Sequence, residues 1–437
     1  MVARMSEKHR DAGLVRAVGA WGLAASTVCI VVGAGIFAVP AALASSVGSY
    51  APLALLVCAV AVGAVAICFA EGGSRMASSG GAYGYIAVAF GPLIGFIAGT
   101  LSWLGSVLAS GGVAAALADV CMSVLPPPLR PAAHALVLVV VIGGIALVNI
   151  RGVLTATRVV SAVTALKLVP LLVFLLVGAT AMHGGNFAQT VQPDTVGLGR
   201  ALILALFAFT GMEISLCASG EVADPARTIP RALVIAMVAV TLLYVAIQVV
   251  AQGILGPALA SSQVPLADAM GRISPALRVL MLAGAAVSMF GLLSSELLGN
   301  PRVLFAFARD GFLPGALGSV HKSNHVPHVA ILVNAAIALM LALSGSFAEL
   351  AVLATLATAP LYMLGCAAAH RLARRGITQG AAPLNFRWLS TAAAVGIASM
   401  LALVALAARA EILGLLAVIG GSATAYLLLT RLRSPAR

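Results

Sequence analysis

Long runs of apolar residues separated by short polar segments fill almost the whole chain. A helix of about 20 apolar residues can cross the hydrocarbon core of a bilayer, so the pattern predicts an all-α polytopic membrane protein with about 12 transmembrane helices. The third and eighth runs are too long for one vertical crossing, and we expect both to tilt strongly or to extend into the cytoplasm. The predicted spans cover residues 17–45, 52–74, 85–122, 132–150, 157–180, 198–220, 230–254, 276–309, 327–344, 348–373, 386–408 and 411–432.

Two of these runs lose their helical pattern in the middle. VVGAGIFAVP at residues 31–40 contains two glycines, and FAFTGMEISL at residues 207–216 contains Gly211 and Glu213. Backbone groups that leave a helix inside hydrocarbon cost several kcal/mol each unless they line a cavity. Paired breaks in the two halves of a chain are typical of a transporter binding site. The alternative is that the glycines only allow close helix packing, which leaves the second break unexplained.

The breaks fall in the first and sixth spans, which suggests two copies of a five-span unit. Because five is odd, the second copy would be upside down, giving a 5+5 inverted repeat with discontinuous first and sixth helices. The predicted copies cover residues 17–180 and 198–373, and two extra helices occupy residues 386–432. Residues 1–16 and 433–437 are predicted to be cytoplasmic tails.

The composition excludes a soluble fold, and the placement of charges gives a topology. Of the 437 residues, 62% are hydrophobic and 9% are charged, against about 25% charged in soluble domains.

The net charge is +12, and of the 25 basic residues 19 fall on one side of the predicted membrane, five on the other and Lys167 inside a span. The positive-inside rule then predicts a multi-pass protein of the inner (cytoplasmic) membrane with both termini in the cytoplasm. The basic surplus reflects this topology, and no nucleic acid partner is expected.

The apolar runs carry no motif for a metal, a cofactor or catalysis. The six cysteines lie in or beside spans without metal-ligand spacing, so we expect no disulfide, no zinc site and no cofactor. The spans contain no HExxH motif, paired aspartates or serine–histidine arrangement, and catalysis within the membrane would need a group of that kind. We therefore expect a carrier and not an enzyme.

Five motifs resemble those of one transporter superfamily. In order along the chain, they make it similar to permeases of the amino acid–polyamine–organocation (APC) superfamily, of the amino acid transporter type, over most of residues 20–331. The motifs are GAGIFAVPAAL (33–43), SSGGAYGYIAVAFGPLIGFIAG (78–99), ALVNIRGVLTATRV (146–159), FAFTGMEISLCASGEVADPARTIPRA (207–232) and RVLFAFARDGFLPGALGSVHKSNHVPHVAI (302–331).

A broken helix can bind an amino acid zwitterion through its backbone alone. Free N–H groups at the start of a half-helix receive the carboxylate, helped by the positive end of the helix dipole. The predicted donors are Ala34, Gly35 and Ile36. The resemblance implies that free carbonyl groups accept from the ammonium, and the predicted acceptors are Val31, Phe207 and Thr210.

Three further candidates are side chains. Phe207 matches the aromatic residue that caps the substrate in the superfamily, so the resemblance implies a gating role, and an ordinary core phenylalanine is the alternative. Ser110 and Trp103 on the third span are weaker candidates, because a hydroxyl there can bond the backbone of its own helix.

Lys167, Glu213 and Glu296 are ionisable residues inside predicted spans, where each costs about 2.5–3.5 kcal/mol on insertion scales. Lys167 matches a fifth-helix lysine whose ammonium, in sodium-independent relatives, takes the place of a sodium ion; snorkelling to an interface is the alternative. Glu213 is either a proton-sensitive link to the cytoplasmic half-helix or a neutral carboxyl bonded to unwound backbone. Glu296 is predicted to favour a substrate with a cationic side chain or a polyamine. The alternatives are that it pairs with a buried group such as Lys167, or that it is protonated and only packs against its neighbours.

These features together predict a sodium-independent amino acid permease that works by alternating access, as a proton symporter or an exchanger. The alternative within transport is an exporter or antiporter of a cationic amino acid or polyamine. The expected partners are a small-molecule amino acid or amine, protons and the lipid bilayer, and the protein is expected to act as a monomer or homodimer.

Overall fold

The computed structural model describes residues 19–76, 81–151, 167–188, 194–212, 225–309, 311–321, 324, 326–378 and 383–433. Glu213 and the predicted tail at residues 1–16 lie outside the described residues. In the described ranges the chain is built from α-helices joined by turns and short 3-10 segments. The helices are α1 (Ala20–Val31), α2 (Gly35–Val47), α3 (Ala51–Arg75), α4 (Gly81–Phe90), α5 (Pro92–Met122), α6 (Arg130–Arg151), α7 (Leu168–Gly178), α8 (Thr195–Phe209), α9 (Pro225–Leu255), α10 (Pro265–Gly271), α11 (Pro275–Gly299), α12 (Pro301–Arg309), α13 (His328–Ser344), α14 (Phe347–Arg374), α15 (Leu389–Ala405) and α16 (Arg409–Arg433).

Many of these helices are apolar enough to cross a membrane. Within the described part of the chain, seven helical stretches have the required length and hydropathy, and four shorter apolar helices accompany them. The long stretches are Gly35–Arg75, Pro92–Met122, Ala132–Arg151, Arg227–Ser261, Pro275–Arg309, Phe347–Arg374 and Arg409–Thr430. The prediction of an all-helical, multi-pass membrane protein is confirmed.

The two predicted spans that are too long for one crossing each consist of two helices. Gly91 separates α4 from α5 with a φ of 95°, a conformation that glycine adopts without steric cost. Pro92 follows at the first position of α5, where the missing N–H of proline leaves no intrahelical bond unmade. Asn300 separates α11 from α12, which again begins with a proline. A separate short helix therefore accounts for part of the extra length of each span, and α5 alone still has 31 residues.

Small residues let the central helices pack closely. α5 lies against α13 and α14 along much of its length. A Cβ atom added to Gly111 would lie 2.8 Å from Leu341 Cβ, and one added to Gly112 would lie 3.2 Å from Leu350 Cβ. Close backbone approach of this kind replaces the hydrophobic effect as the source of helix association in lipid. It holds α5 and α14 together beside the two helix breaks.

Candidate functional site

The first predicted break is present between α1 and α2. α1 ends at Val31, α2 starts at Gly35, and the three residues between them are not helical. Ala34 precedes α2 without a side-chain cap, so the first N–H groups of α2 have no intrahelical acceptor and carry the positive end of the dipole. Residues 31–37 are all buried, which places this polar backbone inside the protein and away from lipid.

The second predicted break begins where α8 ends. The backbone N–H and the hydroxyl of Thr210 both donate to the carbonyl of Phe207, at 3.2 and 2.7 Å. Gly211 then takes a φ of 107°, a left-handed conformation that strongly favours glycine. The chain beyond Met212 lies outside the described residues until Pro225, so the predicted role of Glu213 stays a prediction.

The two breaks touch each other. A Cβ atom added to Gly35 would lie 3.3 Å from the Cα atom of Ala208, and one added to Gly211 would lie 3.2 Å from Cγ2 of Ile30. The start of α2 therefore lies against the end of α8, and the end of α1 lies against Gly211, two residues after α8. Backbone groups from both breaks face one small volume.

That volume is a cavity of about 80 Å³, which we call the break cavity. Its lining combines backbone from both breaks with side chains of α5, α11 and α14. The predicted site residues in this lining are Val31, Ala34, Gly35, Phe207, Thr210 and Glu296. Ile36 and Ser110 are buried but lie outside the lining. Ser110 donates instead to the carbonyl of Ser106 at 2.9 Å, so it bonds its own helix.

Several hydroxyl groups of the break cavity were not predicted from the sequence. Ser102 and Ser106 of α5 line it, together with Thr358 of α14. A Cβ atom added to Gly105 would lie 3.0 Å from Oγ1 of Thr358, so the glycine lets α5 and α14 close one wall of the cavity. The serines recur every four residues along α5, but which of them face the cavity depends on the rotation of the helix, and the sequence does not contain that rotation.

Glu296 brings a carboxyl group to the same cavity. It lies on the last turns of α11 and is half-buried. It is the ionisable residue in the described lining, which also contains Ser102, Ser106 and Thr358. A carboxylate in such a site attracts a cationic or strongly polar group and repels a second carboxylate.

Side chains from other helices satisfy the carbonyl groups that the first break exposes. Oη of Tyr244 on α9 donates to the carbonyl of Val31 at 2.8 Å. Oγ of Ser288 on α11 donates to the carbonyl of Gly33 at 3.3 Å. The Val31 carbonyl also accepts from the backbone N–H of Gly33 at 2.7 Å, so both of its lone pairs are in use. The Phe207 carbonyl already accepts from two groups of Thr210, which makes it a less available acceptor than the sequence alone suggests.

Lys167 is buried at the beginning of α7, with only 5% of its surface exposed. It stands just before the first helical residue, Leu168, and lies outside the lining of the break cavity. Burial contradicts simple snorkelling to water, since a snorkelling ammonium is exposed. Its predicted role in coupling stays a prediction.

A second, wider cavity of about 290 Å³, which we call the vestibule, lies along α2. Its walls come from α2, α5, α10, α11, the start of α14 and the connection between α9 and α10. Phe347 belongs to its lining and packs edge-to-face on Phe207 of the break cavity, with ring centroids 5.6 Å apart. The two cavities have no lining residue in common. This aromatic pair therefore stands between the vestibule and the break cavity.

Comparisons of the sequence with known proteins find transporters. The profile of a family described as amino acid permease matches residues 18–409. The chain is 35% identical over 317 residues to an uncharacterised transporter of Mycobacterium tuberculosis (strain ATCC 25618 / H37Rv), covering 71% of this chain and 70% of the relative. It is 26% identical over 339 residues to the methylthioribose transporter of Bacillus subtilis (strain 168), covering 74% of each. It is 27% identical over 347 residues to a branched-chain amino acid permease of the same organism, covering 73% of each.

Proposed function

The chain belongs to the amino acid permease family, a transporter family of the APC superfamily, and we propose that it carries an amino acid across the cytoplasmic membrane by sodium-independent alternating access. The observation that carries the proposal is the break cavity. It collects unwound backbone from two helices and one carboxyl side chain in a buried volume. This family consists of transporters and not of enzymes.

The proposed substrate pose follows from the polarity of the cavity. The carboxylate sits on the free N–H groups at the start of α2, around Ala34 and Gly35. The ammonium faces the carbonyl group of Thr210, because those of Val31 and Phe207 each already accept two hydrogen bonds. The side chain then points toward Glu296 and the hydroxyls of α5 and α14, which favours a cationic or polar side chain over an apolar one.

The size of the cavity limits the substrate. One water needs about 10–15 Å³ of such space, so about 80 Å³ has room for roughly five to eight water-sized groups. A short-chain amino acid or diamine fits this volume as it stands. A larger substrate would need the cavity to widen. Relatives named for branched-chain amino acids and for methylthioribose imply that the family scaffold accepts different ligands. In this chain, the carboxyl of Glu296 favours a polar or cationic substrate side chain over an apolar one.

The proposed topology has about 12 spans and both termini in the cytoplasm. α1 to α7 form one five-span repeat, α8 to α14 form its inverted copy, and α15 and α16 are the two extra helices. Supporting observations are the meeting of the two breaks and the basic bias of alternate loops. On this topology the vestibule opens to the outside.

The coupling proposal concerns Lys167 and Glu213. Lys167 is buried, and in this proposal its ammonium takes the place of a coupling sodium ion. Transport then runs as proton symport or as exchange. The second candidate function is export or antiport of a cationic amino acid or polyamine, and the carboxyl of Glu296 in the cavity favours it.

Uptake and counterflow in proteoliposomes test the proposal. Purified protein is reconstituted in sodium-free potassium buffer, and labelled amino acids and diamines are offered to empty and to preloaded vesicles. We expect saturable uptake without sodium, and faster uptake into vesicles preloaded with the same compound if the protein exchanges. Absence of flux for every amino acid and amine in both formats would contradict the proposal.

Variants assign the roles within that assay. Glu296→Gln is expected to weaken transport of ornithine or putrescine at least tenfold more than transport of alanine, because it removes the charge and keeps the shape. Ser110→Ala is the control, since Ser110 bonds its own helix.

Lys167→Ala is expected to abolish coupled uptake while the protein still inserts. Unchanged uptake by Lys167→Ala would remove the coupling assignment and leave the cavity assignment intact.

A further inference from the structure

The vestibule has the volume and lining of a binding site in its own right. It is more than three times as large as the break cavity, at about 290 against 80 Å³. It is separated from that cavity by the packed rings of Phe207 and Phe347. A compound of the proposed substrate's size can therefore lie wholly within the vestibule while the rings of Phe207 and Phe347 remain packed.

The charge in the vestibule is negative. Asp119, on the last turns of α5, is the charged residue in the described lining, and 40% of its side chain is exposed. Its partner His134 belongs to α6, outside the lining, with Nε2 3.8 Å from Oδ1. The nearby cation Arg278 is engaged by Asp268 at 3.6 Å, and neither residue lines the vestibule. A cleft lined by charge of one sign concentrates ions of the opposite sign.

The rest of the lining suits a primary amine. Phe37 and Phe347 both belong to it, and aromatic faces attract cations. Ser45 also lines it and donates its own hydroxyl proton to the carbonyl of Ala42 at 2.9 Å, which leaves the hydroxyl oxygen free to accept from an ammonium. A carboxylate, aromatic rings and hydroxyl oxygens are complementary to an alkylammonium group and unfavourable for an anion.

We propose that the vestibule is a second binding site, which holds a small organic amine at Asp119 before the Phe207–Phe347 pair opens to the break cavity. The amine is the compound that the protein carries, so the identity of this ligand rests on the proposed function. The existence of the site does not, because its geometry and charge are independent of whether transport follows.

Charge-selective labelling of a cysteine in the vestibule measures this site without transport. Ser45→Cys is treated with a cationic and with an anionic methanethiosulfonate, and the unsubstituted protein supplies the blank for the native cysteines. We expect the cationic reagent to react about tenfold faster than the anionic one. Asp119→Asn should bring the two rates close together. Glu411→Gln, which removes an acid that the vestibule lining does not contain, should leave the ratio unchanged.

Protection by a ligand then separates the vestibule from the break cavity. L-ornithine and putrescine are the probes, added during labelling of Ser45→Cys. We expect both to slow labelling by the cationic reagent severalfold, and Asp119→Asn to remove this protection while Glu296→Gln keeps it. Loss of protection in Glu296→Gln, or protection that survives Asp119→Asn, would overturn the second site. Protection that depends on Asp119 in a protein without any flux would refute the proposed function and support the vestibule site.

Discussion

The last turn of α3 contains a buried ion pair whose loss should be costly. Nε of Arg75 lies 2.7 Å from Oε1 of Glu71, and the two side chains are 4% and 0% exposed. Oε2 of Glu71 also accepts from the backbone N–H of Phe386 at 3.0 Å. Nη2 of Arg75 donates to Oδ1 of Asn385 at 2.6 Å. The pair therefore fixes the segment that leads into α15, in addition to neutralising two buried charges.

The magnitude follows from the burial. Glu71→Gln keeps the shape and one acceptor but leaves the Arg75 guanidinium buried without a counter-charge, and breaking a buried pair in this way costs about 3–5 kcal/mol. The matched control is Glu411→Gln, because Arg200 and Glu411 are 3.4 Å apart with side chains 37% and 19% exposed. A pair that water reaches contributes about 0–1 kcal/mol. The two variants make the same chemical change and differ in burial.

The free energy of unfolding, measured by SDS titration of the protein in mixed micelles, separates these outcomes. Glu71→Gln should lose several times more stability than Glu411→Gln. The double variant Glu71→Gln/Arg75→Leu should recover part of the loss, since it removes the uncompensated charge. Equal losses in the two single variants would refute the reasoning. A double variant that is no better than Glu71→Gln alone would show that the cost comes from the lost contacts with the segment before α15.

Three further predictions concern the break cavity. Gly211→Ala should reduce uptake at least tenfold, because its φ of 107° strains any L side chain, whereas Gly143→Ala, where nothing lies within 4 Å of the added Cβ, should change little; equal uptake by the two would contradict the role of the break. Ser106→Ala should raise KM severalfold and leave the amount of inserted protein unchanged, while Ser110→Ala leaves KM as it is. Phe347→Ala should let cationic reagents reach a cysteine at Ser106 several times faster, and an unchanged labelling rate would show that the ring does not close the path.

The first break was the most predictable part of the site. Its signal is local, since two glycines interrupt an apolar run, and the observed helix ends at Val31 and Gly35 fall within that motif. The Gly91–Pro92 pair is an equally local signal that a helix ends, and it accounts for part of the excess length of the third predicted span. In an apolar run that is too long for one crossing, a Gly-Pro pair is as informative about the helix end as hydropathy is.

The partners of the breaks were not predictable in the same way. Tyr244 and Ser288 are polar residues within long apolar helices, and their acceptors are set by which helices become neighbours. The pairing of Glu71 with Arg75 has the four-residue spacing of a helical ion pair. Its burial depends on the segment around Asn385, which is far away in the sequence.

One face of α9 donates hydrogen bonds to the broken first span. Three side chains, four residues apart, donate to carbonyl groups of α1, of α2 and of the residue after α2. The pairs are Tyr244 with Val31 at 2.8 Å, Gln248 with Pro40 at 3.4 Å and Gln252 with Gly48 at 3.2 Å. Four-residue spacing places all three donors on the same side of α9, so α2 cannot slide along α9 without breaking two buried hydrogen bonds. Rotation at the three residues between α1 and α2 breaks neither of them. Such a rotation costs the bonds of Tyr244 to Val31 and of Ser288 to Gly33. We expect this span to move at the break itself, where the substrate is proposed to bind.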